Sequence, residues 1–354
     1  MPKIFILLDS PQGISGIPSD VVVCATMSGT HPIGKPLPPA VLRVAQEWAG
    51  RASMVQAPAK VNLRLKVEGR RADGYHLLSM VNCSTSLQDS LSITFTMERD
   101  ITLTVEPLNS IPKSGGENLV TKAFKAFWSE FGYELPPLGI RCHLVKRIPV
   151  GGGLGGGSAD AGAVLRHLSA VFASALEESL DISSEEAHRR VMAAALSCGA
   201  DIPYSVVGGL CWVGGIGEEV VPLVGRSAAP KKVILMVPPK PVPTAAFYER
   251  FRGQYPVLTE QRDSVGREFV AVRSDDLRSL VENDFEKTAC EIVPEIGEGL
   301  RLAREVFPEG TALTGSGSVF FSLVPDGAEH VARDLTERLK AQGITSYLCE
   351  LIFS

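Results

Sequence analysis

At 354 residues the chain has room for two ordinary domains, each with a core of its own. A formal net charge of −5 with no sustained Lys/Arg block excludes a general binder of nucleic-acid polymers, and no apolar run is long enough to cross a bilayer. The seven scattered cysteines (24, 83, 142, 198, 211, 290 and 349) form no Cys-x-x-Cys pair and are expected as buried, reduced thiols; the six histidines form no His-x-x-x-His pair, so a zinc site has little support.

Residues 1–53 carry seven prolines before position 40, and the first apolar run, Ile4 to Leu8, is cut short by Asp9. That run is too short for a signal-peptide core, and the segment lacks the Arg/Ser enrichment of an organelle presequence. A loosely ordered extension is expected, with one helix at Val41 to Ala52. Lys60 to Val67 alternates polar and apolar residues, which predicts a strand with one buried face and Lys60, Asn62 and Arg64 together on the solvated one. Gly69 to His76 is rich in turn formers and ends in Tyr75-His76, a pair suited to anchoring a loop or to stacking on and hydrogen-bonding a flat heterocycle. Strand-like runs follow at Met80 to Thr85, Leu91 to Thr96 and Ile101 to Val105. An amphipathic helix over Glu117 to Phe131 and a strand over Ile140 to Lys146 come next.

Then comes the densest signal, Pro149-Val150-Gly151-Gly152-Gly153-Leu154-Gly155-Gly156-Gly157-Ser158-Ala159. Six glycines in seven residues permit positive φ and let an anion reach main-chain N–H groups. Ala161, Val164, Leu165, Leu168, Val171, Phe172 and Leu176 keep a helical period, so a helix is expected to start near Ser158, its N-cap, with its positive end at a phosphate. Gly151-x-Gly153-x-x-Gly156 matches a dinucleotide fingerprint, but the acid Glu177 lies on the same helix with no second strand before it. A P-loop requires Lys where Ser158 follows Gly157. A flexible linker is a poor account of a loop wedged between a strand and a well-patterned helix, with Leu154 at its centre.

Ser184 to Cys198 reads as a second helix, capped by Ser183 or Ser184, and ends at Gly199-Ala200-Asp201-Ile202-Pro203, where Asp201 fits a turn former. Short strands at Gly209 to Val213 and Glu219 to Leu223 close a first domain, 54–226, and Gly225 to Pro230 is the linker candidate. A second domain, 231–354, opens with a buried strand, Lys232 to Val237, and a helix from Thr244 to Phe251. A polar loop, Gln254 to Arg273, precedes a long helix from Asn283 to Val306. Thr311 to Ser318 lies between two strands, followed by a helix from Ala328 to Ala341 and a strand from Ser346 to Phe353.

With Lys60-Val61-Asn62-Leu63 in its first strand, the Gly-Leu-Gly loop of 149–159, and Leu313-Thr314-Gly315-Ser316-Gly317 near its end, the chain resembles the GHMP kinases. The resemblance implies an α+β two-domain fold: an N-terminal domain like the second domain of ribosomal protein S5 and a ferredoxin-like C-terminal domain, with substrates in the cleft between. It implies ATP with Mg²⁺ as phosphoryl donor, residues 149–159 as the ATP phosphate loop, Asp201 as catalytic base and Lys60 as catalytic cation. The Gly-Gly-Gly-Ser form of the loop and the Arg71-Ala72-Asp73-Gly74-Tyr75-His76 turn are similar to the branch whose acceptor is an alcohol linked to cytidine diphosphate, in isoprenoid precursor synthesis. On that branch Asn62, Tyr75 and His76 would hold the cytidine diphosphate part. Tyr248 would stack on the cytosine from the other side, and Thr314, Gly315 and Ser316 would wall the phosphates. Gly162 stands where the family usually has Ala, a change expected only to loosen packing slightly. The alternatives are a GHMP kinase for another small alcohol, of homoserine or mevalonate type, and a non-catalytic nucleotide binder on the same scaffold. A monomer or homodimer is implied, in the cytoplasm, or in a plastid if residues 1–53 are a presequence.

Overall fold

The computed structural model describes residues 22–23, 36–107, 117–223, 231–243, 247, 250–251 and 277–354. Its elements run β1 (Val22–Val23), α1 (Pro39–Trp48), β2 (Ala52–Arg70), β3 (His76–Thr96), β4 (Ile101–Glu106), α2 (Leu119–Glu130), β5 (Gly139–Val145), α3 (Gly156–Leu180), α4 (Ser184–Cys198), α5 (Ile202–Val207), β6 (Leu210–Gly215), β7 (Glu219–Pro222), β8 (Lys232–Val237), β9 (Glu282–Asn283), α6 (Glu286–Ile292), α7 (Pro294–Val306), β10 (Thr311–Leu313), β11 (Phe320–Val324), α8 (Glu329–Lys340) and β12 (Thr345–Ile352). The linker candidate 225–230, the polar loop 254–273 and Tyr248 lie outside the described residues. Of the helix expected at 244–251, Phe247, Arg250 and Phe251 are described and helical.

One long hairpin organises the sheet. β2 and β3 pair antiparallel from Ala52↔Thr94 to Arg70↔His76, with register shifts at Pro58/Lys60, Asn62/Arg64 and Val67/Gly69. The two runs expected at 80–85 and 91–96 are one 21-residue strand, because the polar residues between them, Asp89 above all, find buried partners and do not turn out to water. β3 carries β6 along Leu78–Cys83 and β5 along Ser90–Thr96, and β12 joins it between them at Ser84 and Thr85. β12 also pairs with β8 and begins the order β12-β8-β11-β10, the antiparallel sheet of a ferredoxin-like β-α-β-β-α-β unit.

Two cores result. Val61, Leu63, Leu91, Ile93 and Phe95 of the hairpin pack with Val164, Leu165 and Leu168 of α3 and with Phe124, Phe127 and Trp128 of α2. Val233 and Leu235 of β8 face this cluster, while Ile234 and Met236 face a second one with Ile296, Leu300 and Leu335 of α7 and α8. Burial on both faces explains why β8 is an unbroken apolar run. α3 is the central helix, with α1, α2, α4 and α5 against it. α1 begins with Pro39 in its first turn, a position Pro tolerates, and its Val41 and Ala45 are fully buried.

Three sequence expectations change here. The helix expected from Asn283 to Val306 is two helices, because Pro294 lacks an N–H and turns Val293 extended at φ −128° and ψ 85°; Asn283 itself belongs to β9. The turn expected at 199–203 runs straight into a short helix, α5, over Ile202–Val207, which has no counterpart in the sequence reading. Gly162 does not loosen packing: a Cβ there would lie 2.6 Å from the Ser205 Cβ, so its absence lets α5 approach α3 closely. The six cysteines described are free thiols, all but Cys290 buried. Among the described residues no helix is long and apolar enough to cross a membrane.

Candidate active site

At Lys60 and Asn62 the polar face of β2 is not solvated. Lys60 is 5% exposed and Asn62 0%, because the turn at Thr314–Gly317 closes over them. The Asn62 Oδ1 accepts from Lys60 Nζ at 2.6 Å, from the Gly315 N–H at 2.8 Å and from Thr314 Oγ1 at 3.2 Å. Its Nδ2 donates to Asn82 Oδ1 at 2.7 Å and to Met80 Sδ at 3.4 Å. No polar group of that amide is left for a substrate. Asn62, expected against the cytidine diphosphate part, fixes Lys60 and the 314–315 turn. Thr314 is likewise fully buried with its hydroxyl committed to Asn62, from whose N–H it also accepts at 3.0 Å, so it supports the site and does not face it. Asn283 Nδ2 holds the same turn from β9, donating to the carbonyls of Leu313 and Gly315 at 2.8 and 3.0 Å. Ser316 completes the turn, partly exposed.

Asp201 stands at the N-cap of α5, yet its side chain caps nothing. The carboxylate, 43% exposed, has its Oδ2 3.9 Å from Lys60 Nζ. α5 is anchored by Tyr204, whose hydroxyl donates to the Gly209 carbonyl at 2.8 Å and bonds Ser84 Oγ at 3.1 Å; burial pushes that phenol up. Lys60 and Asp201, far apart in sequence, thus converge.

The glycine loop reaches this point between them. The N–H of Lys60 donates to the Leu154 carbonyl at 3.0 Å, and the N–H of Val319 to the Gly152 carbonyl at 3.1 Å. At Gly153 (φ 81°) a Cβ would lie 2.4 Å from the Thr314 carbonyl oxygen, so the missing side chain there answers to the C-terminal turn. Helix α3 starts earlier than its sequence suggests: Gly155, at φ 70°, is the N-cap. Ser158 lies inside the first turn. The first helical bond runs from the Ala159 N–H to the Gly155 carbonyl at 2.8 Å, which leaves the N–H groups of Gly156, Gly157 and Ser158 without helical acceptors. Leu154 is buried and Val150 exposed, and Pro149 and Gly151 form the loop's entry.

A cavity of about 900 Å³ opens beside these groups, lined by Arg70, Tyr75, His76, Ser158, Asp201 and Phe285 among others. Tyr75 is 59% exposed; its N–H donates to Asp73 Oδ1 at 3.2 Å. His76 meets the Phe251 ring edge-on at 5.2 Å. Burial, and after it the nearby Arg70 guanidinium, holds its pKa below the usual histidine value. The structure therefore brings Tyr75, His76, Ser158 and Asp201 to one cavity, with Lys60 buried 3.9 Å behind Asp201.

Behind the loop lies a cluster that the sequence reading missed. Lys146 Nζ sits 2.5 Å from Asp89 Oδ2 and 2.6 Å from Asp160 Oδ2, and none of the three side chains is more than 8% exposed. Asp89 Oδ1 accepts the N–H groups of Arg147 and Ile148 at 2.5 and 2.8 Å, fixing the chain just before Pro149. Asp160, on α3 just after the loop, is pushed up to about 8 by burial, against the pull of Lys146. The cluster clamps both ends of the glycine loop. A signal existed: Lys146 continues the buried parity of Ile140, Cys142 and Leu144, and Asp160 falls one helical turn before Val164 on the apolar stripe.

Residues 118–209, which span the glycine loop and Asp201, match the family described as GHMP kinases N terminal domain. The 4-diphosphocytidyl-2-C-methyl-D-erythritol kinase of Syntrophotalea carbinolica is 32% identical over 284 residues, 80% of this chain and 94% of its own. A crystal structure of 4-(cytidine 5'-diphospho)-2C-methyl-D-erythritol kinase is similar with a TM-score of 0.63 at 30% identity, over 85% of this chain and 100% of that one. The mevalonate kinase of Methanococcus jannaschii, 16% identical with a TM-score of 0.57 over 86% of this chain and 99% of its own, is alike in fold alone.

Proposed function

The chain belongs to the GHMP kinases, in the 4-diphosphocytidyl-2-C-methyl-D-erythritol kinase family, and from that premise we propose that it transfers the γ-phosphoryl group of ATP to the 2-hydroxyl of 4-diphosphocytidyl-2-C-methyl-D-erythritol, a step toward isoprenoid precursors. The observation that carries the reading is the 3.9 Å approach of Lys60 Nζ to Asp201 Oδ2, beside the cavity that Tyr75, His76 and Ser158 line. The homoserine and mevalonate types share the fold. The local turn 71–76 favours the cytidylylated alcohol.

Phosphoryl transfer to an alcohol asks a protein for in-line placement and charge neutralisation, with little covalent work. The N–H groups of Gly156, Gly157 and Ser158 and the positive end of α3 are assigned to the triphosphate. Asp201 accepts the proton of the 2-hydroxyl, as a positioned carboxylate can. Lys60, immobilised by Asn62, is a compact cation for the oxygens of the transferring group. The exposed Tyr75 ring is a platform for cytosine, and the His76 ring, held below the usual histidine pKa and so neutral, can hydrogen-bond the edge of the base. Mg²⁺, entering with the nucleotide, would neutralise charge on the phosphates. It is commonly held by one or two carboxylates together with substrate phosphates, and Asp201 and the Ser158 hydroxyl are the cavity donors that fit. Residues 54–226 are the nucleotide half in this reading and 231–354 the C-terminal half.

Incubation with ATP, Mg²⁺ and the diphosphocytidyl alcohol should give ADP and phosphorylated alcohol in equal amounts. Turnover of homoserine or mevalonate in its place would reassign the acceptor, and no ADP with any of them would end the kinase reading.

A further inference from the structure

We propose that Arg70 is the anion-binding residue of the acceptor site and takes the diphosphate of a nucleoside-diphosphate-linked alcohol. The inference rests on the acceptor reading above and adds a residue to it. β2 ends at Arg70, opposite His76 in the register of the hairpin, and both residues line the cavity with Tyr75 and Asp201. Two arginines stand side by side in this turn with different circumstances. Arg71 is exposed and pairs with Asp73 at 2.8 Å. Arg70 has no carboxylate partner among the described residues, and its Nε is buried without a hydrogen-bond acceptor.

Arg70 is half-buried, and a guanidinium partly removed from water with no carboxylate beside it is costly; a ligand oxygen on its outer N–H groups offsets that cost. The planar fork of Arg matches phosphate geometry. The charge balance of the cavity points the same way. Its carboxylates already have cations, Asp73 through Arg71 and Asp201 through Lys60, so an entering diphosphate finds its compensating charge at Arg70. Arg70 and His76 are register partners at the end of the β2–β3 hairpin, so Arg70 lies at the same end of the cavity as the group assigned to the base. A ligand whose base lies on Tyr75 and His76 therefore carries its diphosphate past Arg70 on the way to Asp201.

The test compares ligands that differ only in phosphate. Wild-type protein, Arg70→Gln and Arg70→Lys are titrated calorimetrically with cytidine 5'-diphosphate and with cytidine, and KM is measured for ATP and for the diphosphocytidyl alcohol. Arg70→Gln should weaken cytidine diphosphate binding and raise the acceptor KM by about tenfold or more, the scale of a lost charged hydrogen bond. Cytidine binding and the KM for ATP should stay within about twofold, and Arg70→Lys should recover part of the loss. Equal weakening of cytidine and its diphosphate would show that Arg70 only shapes the base pocket, and unchanged diphosphate binding would remove it from the site; either overturns the proposal. The titration needs no turnover, so an Arg70-dependent preference for the diphosphate in a protein that phosphorylates some other alcohol would sink the acceptor reading alone.

Discussion

Lys146→Met keeps the length of the side chain behind the phosphate loop and removes its charge. The ammonium is shared by two carboxylates at 2.5 and 2.6 Å, and taking one partner from a buried ion pair costs about 3–5 kcal/mol, since a charge is left uncompensated. Two features of the site relieve part of this. Asp89 keeps the N–H groups of Arg147 and Ile148, and Asp160, raised to about 8, already holds a proton at pH 7 and so leaves no second bare charge. The expected loss near pH 7 is therefore at the lower end, about 3 kcal/mol, a large share of the roughly 5–15 kcal/mol that holds an ordinary domain folded. Urea unfolding followed by the fluorescence of the buried Trp128 and Trp212 measures it as a shift in midpoint at unchanged slope. The pH dependence has a definite sign. A carboxyl whose pKa is 3.8 unfolded and about 8 folded binds its proton more tightly in the folded chain. Its stabilising contribution is complete below the lower value and is lost as pH rises through the upper one. Lys146→Met should thus be milder at pH 5 than at pH 8, and Asp160→Asn, which needs no proton, should gain on the wild type over the same range. A Lys146→Met variant within about 0.5 kcal/mol of wild type, the scale of an ordinary surface change, or a loss independent of pH, would refute the reasoning.

Asp201→Asn and Lys60→Ala should each lower kcat by about 100-fold or more, the usual scale for an electrostatic partner of the transition state, while thermal melting shows both variants folded; near-normal turnover would take either off the catalytic list. Gly162→Ala should overpack the α3–α5 contact, costing about 1–3 kcal/mol, and should lower kcat as well, because the displaced helix carries Asp201; a stability loss with kcat intact would mean that α5 absorbs the change without moving its N-cap. Tyr75→Ala should raise the KM for the diphosphocytidyl alcohol by about tenfold with little effect on that for ATP, as loss of a base-stacking ring does, and an unchanged KM would remove the ring from the acceptor site.

What the sequence made legible was local. The glycine loop announces itself in a dozen residues, and β8 and α4 fall on their periodicity almost to the residue, Ser183 capping α4 by accepting from the Glu186 N–H at 3.1 Å. The readings that changed depend on partners far along the chain. Lys60 and Asn62 alternate like a solvated strand face, and only the 314–317 turn turns that face into an interior. Asp89 resembles a break between two strands, because nothing nearby tells that Lys146 will meet it. Asp201 fitted a turn, since a six-residue helix beginning Ile-Pro leaves almost no periodic trace. Pro294, by contrast, was a visible break inside an otherwise continuous apolar period.

The close seat of Gly153 on the Thr314 carbonyl has a genetic corollary. Crowding against a side chain can be cured by trimming that side chain, but here the neighbour is main chain, which every residue type possesses. A methyl at 153 has no single-codon remedy at 314. Revertants of a Gly153→Ala allele should therefore restore glycine itself or alter the spacing of codons 314–318, and the two segments should drift through descent as a unit.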